Sequence, residues 1–312
     1  MDGTFKIVPR KFYQLLVISI EYKNDIFPIV YVLTTRKSES SYKSIFKYIE
    51  ENVYHLEPTE IITDFETGLR NALNAVYPNA VLRGCWFHYC KAIRGKNNEL
   101  GLRTLIRTNP NAKYVEKSVM SLPLLPPEDI LIGFEYIKNS VQCELSKHLK
   151  PFLSYFDNYW LKIQNKKNSI SVAELNMRTT SSLESINSQL SRSFPKRGHL
   201  WKFIEQLQYH EFSKANDMLK LTKTEVIMER KRKPDQERER KIKFLTNLLK
   251  KGTIEVGVFL DAMSNKITLP AMSKQRCNKK DLGKIPINIE SKTIRKKGPG
   301  RSQKMNVIES GQ

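Results

Sequence analysis

The chain has 312 residues, which is enough for one substantial core or for a core domain with a helical appendage. Its 53 Lys and Arg outnumber 32 Asp and Glu, and the net charge of +21 favours a polyanionic partner because Lys and Arg neutralise phosphates. The sequence has four scattered cysteines, no apolar run of about 18 residues and no secretory segment, which excludes a disulfide framework and predicts a soluble intracellular protein without a membrane partner.

Three strands are predicted at the start of the chain. Residues 13–21 and 26–34 are apolar, β-branched runs, and residues 22–25 between them contain an Asn-Asp pair that favours a tight turn. A shorter strand at 3–8 would end at Pro9, which cannot continue a ladder. The pattern therefore indicates a hairpin preceded by a third strand.

Helices and strands alternate in the next part. Apolar residues fall at helical spacing in 41–53, and a serine at the start of this segment can cap the helix. A strand at 60–63, a helix at 66–76 and an apolar stretch at 80–87 follow. The order is βββαβαβ, which corresponds to the mixed α/β sheet of the RNase H-like fold.

The rest of the chain is predicted to be helical. The helical signal runs from residue 89 to about residue 208 and is broken by prolines in 122–128. Further helices are expected at 198–219 and, rich in charge, at 222–249, where Pro234 should end or kink the helix. The predicted regions are an RNase H-like domain at 1–210 with a helical insertion at 89–175, a charged helical extension at 211–265 and a basic, disordered tail at 266–312.

Three acidic residues stand out because none has an obvious structural task at its position. Asp64 follows the β-prone run Ile61-Ile62-Thr63, which starts with an apolar pair, as happens where a buried strand ends at an open edge. Asp2 stands beside Gly3, and Glu184 closes the segment RTTSSLE at 178–184. Carboxylates gathered from distant parts of a chain are what a divalent metal site requires.

Each acid also has a structural alternative. Asp2 beside a glycine could form a turn, Asp64 could cap the helix that starts near Glu66, and Glu184 could be solvated on a polar helix. Glu66 competes with Asp64 as a metal ligand, although the first turn of a helix favours Glu through the helix dipole alone. The residues taken one at a time leave these alternatives open.

Several short motifs follow one another in a characteristic order. They are Asp2-Gly3-Thr4-Phe5 with Pro9, Tyr13-Gln14-Leu15-Leu16, Ile62-Thr63-Asp64-Phe65-Glu66, Gly84-Cys85-Trp86-Phe87-His88, the segment 178–184 and Leu200-Trp201-Lys202-Phe203-Ile204. Over about residues 1–210 the chain thereby resembles the catalytic domain of a Mutator-like element (MULE) transposase, in the DDE superfamily of RNase H-like nucleotidyl transferases. In the motif at 178–184, a serine stands where the family often has Asn.

The resemblance implies metal-dependent DNA cleavage and strand transfer. Asp2 and Asp64 would lie on neighbouring strands and Glu184 would enter from a helix, and together they would hold two Mg²⁺ or Mn²⁺ ions about 3.5–4 Å apart. Water or a DNA 3′-hydroxyl would attack the phosphorus. DNA is then the expected partner, and an active transposase would form a homo-oligomer. The competing hypothesis is a catalytically inactive nuclear protein that binds DNA or another partner.

Cys85 and His88 resemble the C-x-x-H of the same family, which implies a supporting role at the edge of the active site. A zinc site that also uses Cys90, or Cys143 with His148, is the alternative. A structural zinc site normally has four ligands, and no second pair with suitable spacing follows in the sequence. We therefore expect no zinc.

Basic residues predict further contacts with DNA. Lys296, Lys297 and Arg301 surround a Gly-Pro-Gly core that loosely resembles an AT-hook in the minor groove, with a solvated, disordered tail as the alternative. The segment 178–184 contains Glu184, the third proposed acid, and we call it the third-acid motif. Arg178 in this motif is also predicted to bind nucleic acid. The basic cluster at 230–234 resembles a nuclear-import signal, so the nucleus is the expected location.

The position of the first acid raises one more expectation. Asp2 is the second residue of the chain, whereas family members usually carry an N-terminal DNA-binding module before this strand. We therefore expect an N-terminally truncated chain whose first strand is poorly anchored.

Overall fold

The structure is a computed structural model that describes residues 1–164, 170–223 and 233–266, apart from positions 6, 24, 174, 176, 177, 179, 180 and 195–197. These residues lie in one compact unit. Their strands are β1 Asp2–Thr4, β2 Gln14–Tyr22, β3 Asp25–Thr34, β4 Glu60–Thr63 and β5 Val81–Gly84. Their α-helices are α1 Glu39–Asn52, α2 Thr67–Val76, α3 Trp86–Glu99, α4 Arg103–Thr108, α5 Pro110–Ser121, α6 Ile130–Asn139, α7 Cys143–Tyr155, α8 Ser181–Ser193, α9 Leu200–Lys223, α10 Lys233–Lys250 and α11 Val256–Lys266.

The strands form two small sheets. β1, β2 and β3 are antiparallel, whereas β4 and β5 are parallel, with Thr63 opposite Gly84. A hydrogen bond from the Met1 amino group to the Ile62 carbonyl oxygen (2.8 Å) brings the start of β1 beside the end of β4. The described part of the chain is therefore mixed α/β, as predicted.

Different helices cover the two faces of the antiparallel sheet. Leu15 and Val17 belong to one buried cluster, while Leu16 and Ile18 belong to another, because successive side chains of a strand point to opposite faces. Both faces of β2 are therefore buried over residues 14–18, which explains the continuous apolar run that predicted this strand. The helical partners include Tyr42, Phe46 and Leu73 of α1 and α2 on one face and Ile186, Leu190 and Phe203 of α8 and α9 on the other.

The fifth predicted strand needs a correction. The apolar stretch at 80–87 was expected to be one strand, but β5 ends at Gly84 and α3 begins at Trp86. The Cys85 N–H donates to the Thr63 carbonyl oxygen (2.8 Å) and closes the ladder. The Trp86 indole and the Tyr89 hydroxyl then donate to backbone carbonyls of α5 at 2.7 Å each, so a helix face buries these residues.

The largest core lies among the helices that follow β5. It is formed by α3, α5, α6, α7, α10 and α11 with the π-helix Phe156–Gln164, and we call this assembly the helical part. We call β1–β5 with α1, α2, α8 and α9 the strand part. Helices α10 and α11, from the segment predicted as a charged extension, contribute to this core the buried residues Ile242, Phe259, Leu260 and Met263.

The charged helix expected at 222–249 is seen over 233–250 as α10. Residues 224–232 are not among the described residues, so the predicted end or kink of a helix at Pro234 stays a prediction. The basic cluster at 230–232 and the predicted tail from residue 267 onward are outside the part that the structure describes. Within the described ranges, no helix combines the length and apolar character needed to cross a membrane.

Candidate functional site

Asp64 lies at the carboxyl end of β4 and is only partly buried. Its Oδ1 accepts a hydrogen bond from the backbone N–H of Glu66 (3.2 Å), which fixes the carboxylate in a tight turn before α2. The residue at the N-cap of α2 is Glu66, not Asp64, and its side chain makes no capping bond. Asp64 is therefore not the N-cap residue itself, but its carboxylate accepts the N–H of that residue, so the structural alternative for Asp64 stays open.

Arg70 places a positive charge behind this strand end. Its guanidinium donates to the Thr63 hydroxyl (3.2 Å) and to the carbonyl oxygens of Leu82 and Arg83 (3.3 Å each), so it joins β4 to β5. Burial lowers the pKa of Arg70, and the nearby Asp64 carboxylate acts in the opposite direction. Sequence reasoning missed this residue, since an arginine on an amphipathic helix gives no signal of its own.

Glu66, the competing acid, is held by two partners. Its carboxylate forms an ion pair with Lys37 and accepts a hydrogen bond from the Tyr42 hydroxyl (3.0 Å). The same hydroxyl accepts a hydrogen bond from the buried Gln14 amide (2.6 Å). Burial raises the pKa of Tyr42, so this hydroxyl keeps its proton for Glu66. A carboxylate engaged in this way is less suited to metal binding than that of Asp64.

An aromatic wall closes one side of the edge. The Phe65 ring packs edge-on against Trp160 of the π-helix, with ring centroids 4.8 Å apart. The tip of the Phe65 ring occupies the space that a side chain at position 84 would need, since a Cβ there would stand 2.1 Å from the ring. Gly84 is therefore required at the end of β5 by the close approach of Phe65, next to Asp64 in sequence.

Strand β1, which carries the first proposed acid, Asp2, reaches the same edge at the end of β4. The Met1 amino group donates to Ile62, two residues before Asp64, so the backbone of Asp2 in β1 lies beside the end of β4. Only the backbone of Asp2 belongs to the described atoms. The predicted approach of its carboxylate to that of Asp64 stays a prediction.

The third-acid motif also reaches this edge through the backbone. The N–H of Trp86 donates to the carbonyl oxygen of Arg178 (3.0 Å), and Trp86 follows the residue that bonds to Thr63. Helix α8 then starts at Ser181 and contacts β1 and β3. Glu184 lies in the first turn of this helix, but its side chain is not among those described. The segments of all three predicted acids thus meet around the ends of β4 and β5.

Arg178 has a structural role in this arrangement. Arg178 is 5% exposed. Its guanidinium forms an ion pair with Glu239 of α10 and donates to the Ala173 carbonyl oxygen (3.5 Å). The pair ties the third-acid motif to the helical part. The predicted contact of Arg178 with nucleic acid stays a prediction, as do those of Lys296, Lys297 and Arg301, which lie beyond the described ranges.

Cys85 and His88 lie at the start of α3. Cys85 is fully buried and His88 partly buried, one helical turn apart. The thiol of Cys90 is also buried and points to the Met120 carbonyl oxygen (3.9 Å), and burial raises its pKa, which favours an inert thiol over a thiolate ligand. Cys143 is exposed at the start of α7. A supporting role for Cys85 and His88 stays a prediction.

Asp64 suits a magnesium site by its chemistry. Hard Mg²⁺ binds carboxylate oxygens, and this carboxylate lies at an open strand end with one oxygen fixed by a backbone N–H. Among the side chains that the structure describes, no three His, Cys, Asp or Glu residues are grouped so that they could hold a metal ion. The side chains of Asp2 and Glu184 are outside that set, so the predicted three-carboxylate site is untested.

Comparison with known protein families supports the resemblance drawn from the motifs. Residues 1–92 match the family model described as MULE transposase domain. This range runs from β1 into α3 and includes Asp2, Asp64, Cys85 and His88, whereas Glu184 lies after it. No curated protein and no solved structure gives a significant match.

Proposed function

Because residues 1–92 belong to the MULE transposase family, we propose that the chain is the catalytic domain of a DNA transposase that cleaves and transfers DNA strands with the help of divalent metal ions. Asp2, Asp64 and Glu184 are the proposed catalytic acids. One observation carries the proposal: backbone hydrogen bonds bring the three segments with these acids around one edge, where β4 and β5 end.

The sheet order supports an RNase H-like arrangement. The antiparallel sheet has the order β1-β2-β3, and the parallel sheet has the order β4-β5. The hydrogen bond between Met1 and Ile62 brings the start of β1 beside the end of β4, which is compatible with the order β3-β2-β1-β4-β5 of one mixed sheet. In such a mixed sheet, the first-acid strand and the second-acid strand are neighbours, as the resemblance implies.

The proposed acids would hold two Mg²⁺ or Mn²⁺ ions, which activate the attacking oxygen and stabilise the leaving one in an in-line displacement at phosphorus. The residues around them have separate tasks. The Glu66 N–H keeps the Asp64 carboxylate in one orientation, and Arg70 offsets negative charge at the strand end. Phe65 excludes water from the side that faces the helical part.

DNA is the proposed substrate and partner. The net charge of +21 is suited to a polyanion, and the family of residues 1–92 acts on DNA. Nuclear location and assembly into a homo-oligomer are parts of the same proposal. The basic cluster and tail that motivate the former lie outside the described part of the chain.

The test is nicking of supercoiled DNA by the purified full chain with Mg²⁺ or Mn²⁺. We expect Asp64→Asn to lower the rate by more than about 100-fold, since even residues that only orient metal ligands change activity about 10–100-fold when lost. Glu60→Gln is the matched control, because it makes the same charge change at the opposite end of β4, at a side chain that is 43% exposed. Glu66→Gln separates the two candidate acids and should lower the rate far less than Asp64→Asn.

Absence of metal-dependent nicking by the wild-type chain would contradict the enzymatic proposal and leave the inactive DNA-binding or partner-binding protein as the surviving hypothesis. Equal rates for the wild type and Asp64→Asn would show that a contaminating nuclease causes the nicking. Binding of Mn²⁺, followed by electron paramagnetic resonance, gives a readout that does not depend on activity. It should weaken in Asp64→Asn and stay unchanged in Glu60→Gln.

A further inference from the structure

Helix α9 uses one side to pack against the strand part. Phe203 and Leu221 are buried, and the helix contacts β3. The Tyr31 hydroxyl lies 3.2 Å from His210 Nδ1, and Lys23 Nζ donates to the Leu221 carbonyl oxygen (2.9 Å). These contacts fix the orientation of a helix of 24 residues, about 36 Å long, and determine which of its residues face outward.

The outer face of α9 is strongly apolar. Trp201, Tyr209, Phe212 and Leu219 are 79%, 78%, 68% and 55% exposed. At about 100° per residue, Trp201, Phe212 and Leu219 lie within about 20° of one line along the helix, and Tyr209 lies about 80° to one side. We call these four residues the α9 stripe. Single exposed apolar residues are common on proteins, but four on one helix face mark an interaction surface.

The area of the α9 stripe is sufficient for a self-association surface. An aromatic side chain offers about 150–250 Å², so the exposed parts of the four side chains amount to roughly 500 Å². Two copies of the stripe would bury roughly 1,000 Å², which reaches the lower limit of about 1,000 Å² for a specific interface before any flanking residue is counted. The proposed catalytic site uses none of these residues.

The charges along the outer part of α9 favour an antiparallel partner. Glu205 and Glu211 outnumber Lys202 in the N-terminal half, whereas Lys214, Lys220 and Lys223 outnumber Asp217 in the C-terminal half. The same face of a second copy is complementary only if it runs in the opposite direction. We propose that the α9 stripe binds the α9 stripe of a second copy of this chain, antiparallel, with the two-fold axis near Phe212.

The side chains match in this register. A two-fold axis at residue 212 places Tyr209 level with the exposed Ala215 of the other copy along the helices, so the two large Tyr209 rings stand at different levels. Glu205 comes within one residue of Lys220 along the helices, and Trp201 comes opposite Lys223, where an ammonium group can lie over the indole. Each of these pairs occurs twice, because the interface is isologous.

Nucleic acid is a poorer fit to this face. Helix α9 carries Lys202, Lys214, Lys220 and Lys223 but also three acids, and Lys214 already pairs with Asp217 (3.6 Å). The remaining excess of positive charge is too small to neutralise a run of phosphates. The proposal does not depend on the proposed transposase activity, since the stripe is present whether or not the chain cleaves DNA.

The first test is the molar mass of the full chain by light scattering at micromolar concentrations, without DNA. We expect a dimer for the wild type and a monomer for Phe212→Glu, because the substitution sets two like charges against each other at the two-fold axis. Tyr54→Glu is the matched control, since Tyr54 is an aromatic residue that is 70% exposed outside α9, and it should remain a dimer. A monomeric wild type, or a dimer that survives Phe212→Glu, overturns the proposal.

The second test measures the register. With Cys143 and Cys277 replaced by Ser, Phe212→Cys should form a disulfide-linked dimer under mild oxidation, because the two copies of this position meet at the axis. Leu219→Cys should not, since its two copies would stand about 21 Å apart along the helices, and a disulfide needs Cα atoms within about 7 Å. Cross-linking of Leu219→Cys but not of Phe212→Cys overturns the antiparallel register.

Discussion

Two sets of buried polar side chains, one in the helical part and one in the strand part, make their hydrogen bonds in different ways. In the helical part, Trp86 and Tyr89 donate to backbone carbonyls of α5, so each bond depends on one side chain. In the strand part, Gln14, Tyr42 and Glu66 bond to one another in a chain of side chains that reaches the candidate site. Bonds to the backbone anchor packing, whereas a chain of side chains can hold a charge at a chosen place.

This difference predicts that stability and activity depend on different residues. The helical part has the larger dry core and should dominate the free energy of unfolding. The strand part contains Asp64 at the end of β4 and the segments of the other two proposed acids, Asp2 and Glu184. The two parts meet where Phe65 contacts Trp160, so substitutions on either side of this contact can separate the two properties.

Trp160→Ala should produce the largest effect. Trp160 is 1% exposed, and its ring lies 4.8 Å from that of Phe65 and 4.7 Å from that of Tyr89. Removal of such a side chain leaves a cavity and should lower the free energy of unfolding by about 3–5 kcal/mol. Denaturation in guanidinium chloride measures it. Phe244→Ala, at a residue of α10 that is 63% exposed, is the control and should change stability by less than about 0.5 kcal/mol. Similar losses in both variants would contradict the assigned core.

Gly84→Ala should have an intermediate effect on stability and a larger one on activity. The added Cβ would stand 2.1 Å from the Phe65 ring, so the ring must move, at a cost of about 1–3 kcal/mol. Because Phe65 is the neighbour of Asp64, we expect nicking to fall further than the loss of folded protein explains.

Gly95→Ala provides the control for this substitution. No atom lies within 4 Å of a Cβ built at Gly95, in the middle of α3, so the same change should stabilise the protein by about 0.5–1 kcal/mol. Combining Gly84→Ala with Phe65→Leu should recover part of the stability, since the smaller side chain relieves the clash. If Gly84→Ala behaves like Gly95→Ala, the close approach of Phe65 is not a constraint.

The sequence predicted the strand part better than the helical part for a physical reason. Strands β2, β3 and β4 are bounded by turn residues, and the position of Asp64 at a strand end follows from the apolar pair before it. The end of β5 was missed because the apolar run continues into Trp86 and Phe87, and periodicity cannot separate a buried strand from a buried helix in so short a run.

The contacts around the candidate site were harder to foresee. The hydrogen bonds from Tyr42 to Glu66 and from Arg70 to β4 and β5 join residues that are 7 to 24 positions apart and that carry no motif. The helix dipole alone explains a Glu at position 66, so the sequence gives no indication of its partners Lys37 and Tyr42. Tertiary contacts of this kind become visible only when the elements are packed.

Tyr42→Phe is expected to affect stability no more than Gly84→Ala does, and to distinguish the side-chain network from ordinary packing. It removes the hydroxyl that accepts from Gln14 and donates to Glu66, and should cost about 1–3 kcal/mol because the buried Gln14 amide loses its acceptor.

Tyr77→Phe is the control for this substitution, since the Tyr77 hydroxyl also donates to a carboxylate, that of Glu50 (2.6 Å), between α1 and the end of α2. Tyr77→Phe should lose less stability in thermal denaturation, about 0.5–1.5 kcal/mol, because Glu50 keeps its bonds to His55 and the Leu56 N–H. Only Tyr42→Phe should raise the Mg²⁺ concentration needed for half-maximal nicking. In this variant Glu66, which is two residues from Asp64, loses its bond to Tyr42 and keeps its ion pair with Lys37. An equal shift in both variants would mean that the network stabilises the fold without positioning the site.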